Sequence, residues 1–446
     1  MYLVILMIVS VVLLLVLISK VKLNAFLSLL FISLFMGILS GMSLADVAAQ
    51  VTAGFGALMA GIGIVIICGV IIGTFLEHTG AAQRIAASIL KLVGPKRGTL
   101  ATGITGGVVS IPIFCDVGFV ILTPVIRALS RVGKIPMMCL ASALMMGLLT
   151  THCLTPPTPG PLAAAAILGA DVGIVMLYGL IVSIVVIGGT YFWCNSQFLR
   201  KRYPELAEYD AEIEADSQKF NDAAAKAPST LMSYLPIVLV ILLIVIRSVL
   251  GLYAQAHAET MWFQIINFLG TPFIALLIGV FCCFLLPAKI NEEVSNGWVN
   301  KALKNSAEIL ILTGIAGSFG RILLVSGVGD VMAGAISGLN IPSVLLPFII
   351  SSIVLIAQGS ATVAMTTTAA IILPILGPLG LSPELAVISI AAGAFTGVFP
   401  QGSYFWVVTK MSGFDIKKGY VAVTATTFVM GGVALVAILI LSLVVS

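Results

Sequence analysis

Residues 110–124 read SIPIFCDVGFVILTP and residues 151–161 read THCLTPPTPGP; in the second half, 357–374 read AQGSATVAMTTTAAIILP and 396–406 read TGVFPQGSYFW. Each breaks an apolar stretch with Pro, Gly and polar residues. In lipid an unpaired backbone N–H or C=O costs several kcal/mol, so such breaks survive at membrane depth only where they line a cavity enclosed by protein. Two pairs in corresponding positions, roughly 245 to 250 residues apart, point to the central binding site of a transporter.

Composition agrees with a membrane setting. The 446 residues are 60% hydrophobic and 9% charged, with mean hydropathy +1.19. Roughly a dozen stretches of 17 or more residues carry few or no charges, which predicts an all-α polytopic membrane protein. Met1 to Ser19 lacks a basic leader and a small-residue cleavage site, and reads as a retained first span rather than a signal peptide. The seven cysteines have no zinc-type spacing and sit mostly in apolar segments, so neither a metal site nor a disulfide framework is implied. The net charge of +4 lies at helix ends and gives no nucleic-acid signal. With no phosphate-cradling G-x-x-x-x-G-K-[ST] loop and no H-E-x-x-H, the chain reads as no enzyme and as needing no cofactor. Transport without ATP must then run on an ion gradient or passively.

Charge placement orders the spans. Putting Lys20 and Lys22 in the cytoplasm sends span two outward before 41–50, and a third span (about 56–76) returns to Arg84, Lys91, Lys96 and Arg97. The stretch 98–126 has basic residues at both ends, which predicts a re-entrant hairpin with its tip at SIPIFCDVGF. The chain then crosses outward from Pro136 through the 152–161 break to Asp171, and 172–195 returns. About a dozen charges between 200 and 226 mark a cytoplasmic linker. Spans near 231–253 and 262–286 follow, then an outward span near 305–326 and an amphipathic piece after Gly327. A second hairpin (343–377) enters from outside, and a broken span (384–409) and a last helix (419–445) complete the chain.

The expected organisation is an N-terminal half, 1–195, with repeat one from about 56; a charged linker, 196–230; and a C-terminal half, 231–446, with inverted repeat two from about 303. Each repeat supplies one re-entrant helical hairpin and one unwound transmembrane helix. Echoes between 78–89 and 325–336, Pro124 and Pro374, and 170–173 and 414–417 support an inverted repeat. Both termini are expected on the periplasmic side.

Asp116 is the acid that stands alone between Glu77 and Asp171, at a hairpin tip where a charge costs about 2.5–3.5 kcal/mol on insertion scales. Either it takes and releases a proton in each cycle, or it stays ionised and caps a half-helix. His152, beside the Pro-rich break, can donate to a hydroxyl, pair with a carboxylate or relay a proton, or simply pack. Ser110, Thr151, Thr155 and Thr158, with Gln358, Ser360, Thr362, Thr366 and Thr367, offer hydroxyl and amide groups to a polyhydroxylated solute; the alternative for any one of them is a bond to the carbonyl of its own helix. Gln401 and Ser403 repeat the pattern in the second half. Arg321 either grips a substrate carboxylate or snorkels to the surface.

Seven segments together resemble the gluconate permease family, gluconate:proton symporters of the bacterial inner membrane: TGAAQRIA (79–86), DVGFVILTP (116–124), the TH…PP.PGP break (151–161), ADVG (170–173), SG (326–327), GSATVA (359–364) and SPEL (382–385). The family lies in the ion transporter superfamily of carboxylate and ion carriers, built on inverted repeats with re-entrant hairpins. The resemblance implies proton-coupled uptake of a sugar acid or hydroxycarboxylate through the inner membrane. Asp116 stands where relatives often carry Glu, and Arg321 where they often carry Lys. Two departures fall in the expected cavity: Thr158 replaces the His of PPHPGP, and 397–406 lacks a His-x-Asn-Asp-Pro segment. The cargo is therefore open among gluconate, shorter sugar acids, hydroxy acids and D-serine. Sodium in place of protons is the alternative coupling ion, a homo-oligomer stays open, and a channel or a structural subunit suits paired breaks poorly.

Overall fold

The computed structural model describes residues 2–94, 97–207, 218, 220, 222–253, 259–329, 331 and 342–445. The described elements are helical: α1 (Tyr2–Ser19), α2 (Ala25–Leu39), α3 (Leu44–His78), α4 (Ala81–Val93), α5 (Gly98–Val109), α6 (Cys115–Gly133), α7 (Met137–Leu154), α8 (Pro159–Leu168), α9 (Val172–Cys194), α10 (Gln197–Arg202), α11 (Thr230–Tyr253), α12 (Met261–Leu269), α13 (Pro272–Cys283), α14 (Trp298–Val325), α15 (Leu345–Gln358), α16 (Ala361–Ile372), α17 (Pro383–Gly393), α18 (Ser403–Met411), α19 (Ile416–Gly419) and α20 (Thr426–Val445). Short π turns precede α14 and α20.

Two long helices form the spine. Side-chain capping starts α3 three residues after Gly41, because the Ser43 hydroxyl accepts from Asp46 N at 3.1 Å, so much of the expected external loop 41–50 is helical. α3 runs antiparallel to α14: Arg321 bonds Gln50, the Ser318 hydroxyl donates to Val51 O at 2.7 Å, and Trp298 meets Phe75 edge-on at 5.2 Å. Gly54 and Gly317 bring the two backbones together where larger residues would clash.

The stretch 98–133 turns back on itself. Gly98 at the start of α5 packs against Leu129 near the end of α6 and against Ile135 beyond it, so both arms share a base. α5 has 12 residues, about 18 Å of helix, too short for a hydrocarbon core of about 30 Å. Its tip, 110–114, therefore lies at depth. α15 and α16 make the second hairpin, closed at its base by the Ser343 hydroxyl donating to Leu379 O at 2.7 Å. α7 and α8 are one span broken at 155–158, where the Pro156–Pro157 bond is cis, and every residue of α7 is buried. By contrast Thr230–Gly251 and Ile416–Val445 are only 28% buried, which puts the broken span in the centre and these helices at the rim. α17 and α18 are its counterpart, broken over 394–402.

The order long helix, hairpin, broken span, closing helix thus recurs as α3, α5–α6, α7–α8, α9 and as α14, α15–α16, α17–α18, α20, with the second set inverted. Basic side chains gather on one face, where Lys301 meets Glu77 and Lys418 meets Glu205. Among the described residues, Arg247 and Arg321 are the cations of the opposite face, where the Asp171 carboxylate caps α9, accepts from Ser248 at 2.6 Å and pairs with Arg247. One expected span differs. The stretch 262–286 bends by 67° between α12 and α13 at Gly270–Pro272, because Pro272 cannot continue the helix of α12. Most of the amphipathic piece after Gly327, the echo over 332–336, Lys96 and linker residues 208–217 lie outside the described residues.

Candidate functional site

Each break leaves a half-helix whose first turn of N–H groups opens toward the membrane centre. α6 begins at Cys115, α8 at Pro159, α16 at Ala361 and α18 at Ser403. Contacts join these four starts in a ring. Phe114 and Thr158 line one small cavity of about 10 Å³, room for one water, together with Pro112 and Pro157. Gly160 at the start of α8 packs against Thr362 and Met365 of α16. Gly359, before α16, abuts Gly402, before α18, so closely that a Cβ on Gly402 would lie 2.7 Å from the Gly359 carbonyl oxygen. Ser403 interacts with the Asp116 carboxylate and closes the ring back to α6. Four helix dipoles present their positive ends to one place, an arrangement suited to an anion.

Asp116 sits in the first turn of α6, half-buried. Its Oδ2 accepts weakly from the Cys115 thiol at 3.8 Å, and its Oδ1 has no hydrogen-bond partner in the protein. His152 is buried at the end of α7 with its ring 5.7 Å from Phe114, and its Nδ1 also lacks a partner. Thr155 is fully buried with an unpartnered hydroxyl. Unpaired buried polar atoms cost about 1–3 kcal/mol each, and three of those in the described residues, on Asp116, His152 and Thr155, lie at the breaks of repeat one.

Other expected site residues serve the backbone. The Ser110 hydroxyl donates to Ile113 O at 2.9 Å and folds the hairpin tip, Thr151 donates to Gly107 O at 2.7 Å and ties α7 to α5, and Thr158 donates to Thr155 O at 2.8 Å within the break. Gln358 donates to Ser360 O at 2.9 Å, Ser360 caps α16, and Gln401 donates to Ile356 O. Thr362 is half-buried and accepts at its carbonyl from the Thr366 hydroxyl; Thr367 is buried with a free hydroxyl. Gln401 and Ser403 are exposed. Arg321 stands apart from the ring: it is exposed on the face opposite the basic one, with its Nε donating to Gln50 Oε1 at 2.8 Å. That placement is a surface cation beside a polar partner, and no described basic side chain lines the ring.

Two features escaped the reading of the sequence. α3 carries Gly69 and Gly73 on one face; Gly69 faces the Pro157 carbonyl, and a Cβ on Gly73 would lie 2.3 Å from the Pro112 carbonyl oxygen. The small-x-x-x-small spacing in an apolar helix was the available signal. Tyr404, buried in α18, donates its hydroxyl to Met145 O at 3.3 Å, meets Phe119 edge-on and lies close enough to feel the charge of Asp116. A second small cavity, about 40 Å³, runs from Pro112–Phe114 along Val70 and Gly73 toward Glu77 and Asn305 on the basic face.

The description that matches this chain, over residues 1–444, is that of a GntP family permease. A permease of Haemophilus influenzae is 36% identical, covering 96% of this chain and 90% of that protein. The gluconate permease of Pseudomonas aeruginosa is 30% identical over 97% of this chain and 95% of its own. The D-serine transporter DsdX of Escherichia coli K12 is 30% identical over 98% of each. Among solved structures, the YdaH transporter of Alcanivorax borkumensis superposes with a TM-score of 0.67 at 16% identity, covering 94% of this chain and 98% of that one.

Proposed function

The chain belongs to the GntP family of permeases and is a membrane transporter, not an enzyme; from that premise we propose that it carries a small hydroxylated carboxylate, gluconate or a shorter sugar or hydroxy acid, inward with protons. The observation that carries this reading is the ring of four half-helix starts around the partnerless Oδ1 of Asp116 and the partnerless Nδ1 of His152. An anionic cargo held by dipoles needs no arginine clamp, and its hydroxyls find the buried Thr155, the half-buried Thr362 and, at the rim, Ser403. Asp116 serves as the proton carrier: neutral when protonated, it leaves the ring free for the cargo's carboxylate; ionised, it repels it. Binding and proton uptake are then linked through one charge.

The named relatives differ in cargo, one a gluconate permease and one a D-serine transporter, and both cargoes are small carboxylates bearing a hydroxyl. The proposal rests on that shared chemistry. The basic face is assigned to the cytoplasm by the positive-inside rule, which places both termini in the periplasm of a bacterial inner membrane. Residues 1–195 and 231–446 act as the two halves, joined by a cytoplasmic linker over 196–230.

Proteoliposomes with an imposed inward proton gradient test the proposal with labelled gluconate, shorter aldonates and D-serine. Accumulation of at least one of these that collapses on adding a protonophore is expected. Uptake indifferent to the protonophore but dependent on sodium would transfer the coupling to the alternative ion, and failure of all these cargoes would reject the substrate class.

A further inference from the structure

We propose a second anion site, separate from the transport ring, in a cavity of about 320 Å³ that opens on the basic face between α6, α7, the start of the linker and the α18–α19 corner. Arg127 of α6 and Lys418 of α19 bring positive charge to its wall, and Tyr203 of the linker adds a hydroxyl. Ser412 is 8% exposed, lines the cavity and has a hydroxyl with no partner, a donor already dehydrated and waiting for an acceptor.

The walls are well fixed. Arg127 Nε donates to the Met411 carbonyl at 3.1 Å, which joins the first hairpin to the second repeat. The linker is pinned to the α6–α7 corner by Met137 N donating to Glu205 O at 2.9 Å and by Ala207 N donating to the Ser130 hydroxyl at 3.1 Å. Among the described residues Glu205 is the carboxylate on the wall, and it meets Lys418 at 3.1 Å. Glu205 is exposed and Lys418 half-buried, and ion pairs open to water on one side contribute about 1 kcal/mol or less, so an incoming anion competes with Glu205 for the ammonium.

The chemistry that fits is a small oxyanion with several acceptors, either inorganic phosphate or the carboxylate and hydroxyls of a sugar acid. It would accept from Lys418, the Ser412 hydroxyl and Arg127 together, bridging hairpin, linker and second repeat. Occupancy from the cytoplasm then holds the base of the first hairpin against the α18–α19 corner and slows its movement. The linker becomes a sensor of cytosolic anion rather than a passive tether.

The test is thermal unfolding of the purified full chain at constant ionic strength, titrated with inorganic phosphate and, separately, gluconate. A rise in Tm of roughly 3 °C or more is expected at saturation with one or both. The rise with that anion should fall by at least half in Ser412→Ala and in Lys418→Gln, and the anion that acts identifies the source. Arg127→Lys serves as the cationic control that keeps the charge. An equal rise in wild type and cavity variants, or no rise with either anion, overturns the site. Neither result bears on accumulation by the transport ring, which the proteoliposome assay reads independently. A second readout is side-specific: phosphate on the basic face slows wild-type exchange severalfold and leaves Lys418→Gln unslowed.

Discussion

The two halves of the ring are built alike and furnished differently. In repeat one the break residues Asp116, His152 and Thr155 are titratable or polar, buried or half-buried, and left with unpaired atoms, and the hairpin tip is pressed against Gly73 of the spine. In repeat two the equivalents are Gln358, Ser360, Gln401 and Ser403, all neutral: Ser360 caps α16, Gln358 and Gln401 donate to nearby carbonyls, Ser403 reaches across the ring to Asp116, and Gln401 and Ser403 are exposed. The same scaffold thus separates two tasks. On the proposed reading, the titratable groups sit buried or half-buried, where a charge is costly, and two of the neutral hydrogen-bonding groups sit exposed.

The sharpest way to break this contrast is Asp116→Asn, which keeps the shape and removes the proton. Each charge moved through 100 mV is worth about 2.3 kcal/mol, or roughly 50-fold in concentration, so the variant should lose nearly all gradient-driven accumulation while cargo exchange continues. Accumulation at the wild-type level by the variant would strip repeat one of its assigned task.

Next in size is Gly73→Val. The first added carbon would meet the Pro112 carbonyl oxygen at 2.3 Å, so the hairpin tip must move off the spine, at a cost of about 1–3 kcal/mol in stability and with loss of uptake. Gly61→Val on the same helix has open space around it and supplies the control, expected within about 0.5 kcal/mol of wild type by denaturant unfolding. A harmless Gly73→Val would mean that the first tip is not held as drawn. His152→Gln retains an amide donor but not the imidazole; roughly a tenfold rise in KM is expected, the worth of about one hydrogen bond. Ser403→Ala, on the open side of the ring, should raise KM only two- to threefold, on the order of 0.5 kcal/mol.

Lipid physics explains why so much of this was legible beforehand. A Pro-rich or Gly-rich break inside an apolar run has few permitted explanations, so 110–124, 151–161, 357–374 and 396–406 located all four half-helix starts. Charge placement turned two of them into hairpins because both ends of 98–126 could not lie on opposite faces. What stayed hidden depends on which side of a helix faces which neighbour. Ser110, Thr151 and Thr158 look like ligands in the sequence, yet their hydroxyls are taken by Ile113, Gly107 and Thr155 carbonyls, a use that only the packed backbone reveals. Tyr404 gave no signal at all, one aromatic among several in SYFW. The bend at Gly270–Pro272 was readable from Pro272, but a long apolar stretch masked it.

The smallest expected effect concerns the residue whose placement depends most on depth. Arg321 lies about one turn before Val325, the last residue of α14, a position from which a long side chain reaches water by its own length. It does so here, exposed, with its guanidinium on Gln50 rather than on any atom of the ring. A hydrogen bond between exposed polar groups competes with water on both sides, so Arg321→Gln should change stability by less than about 0.5 kcal/mol and uptake by less than about twofold. The measurement distinguishes two designs of anion site. If KM for the carboxylate stays put, dipoles from the four helix starts suffice to hold the cargo, and the charge-changing work belongs to repeat one alone. If KM rises tenfold, a cation from repeat two enters the ring in another state of the cycle, and the division of labour between the halves no longer stands.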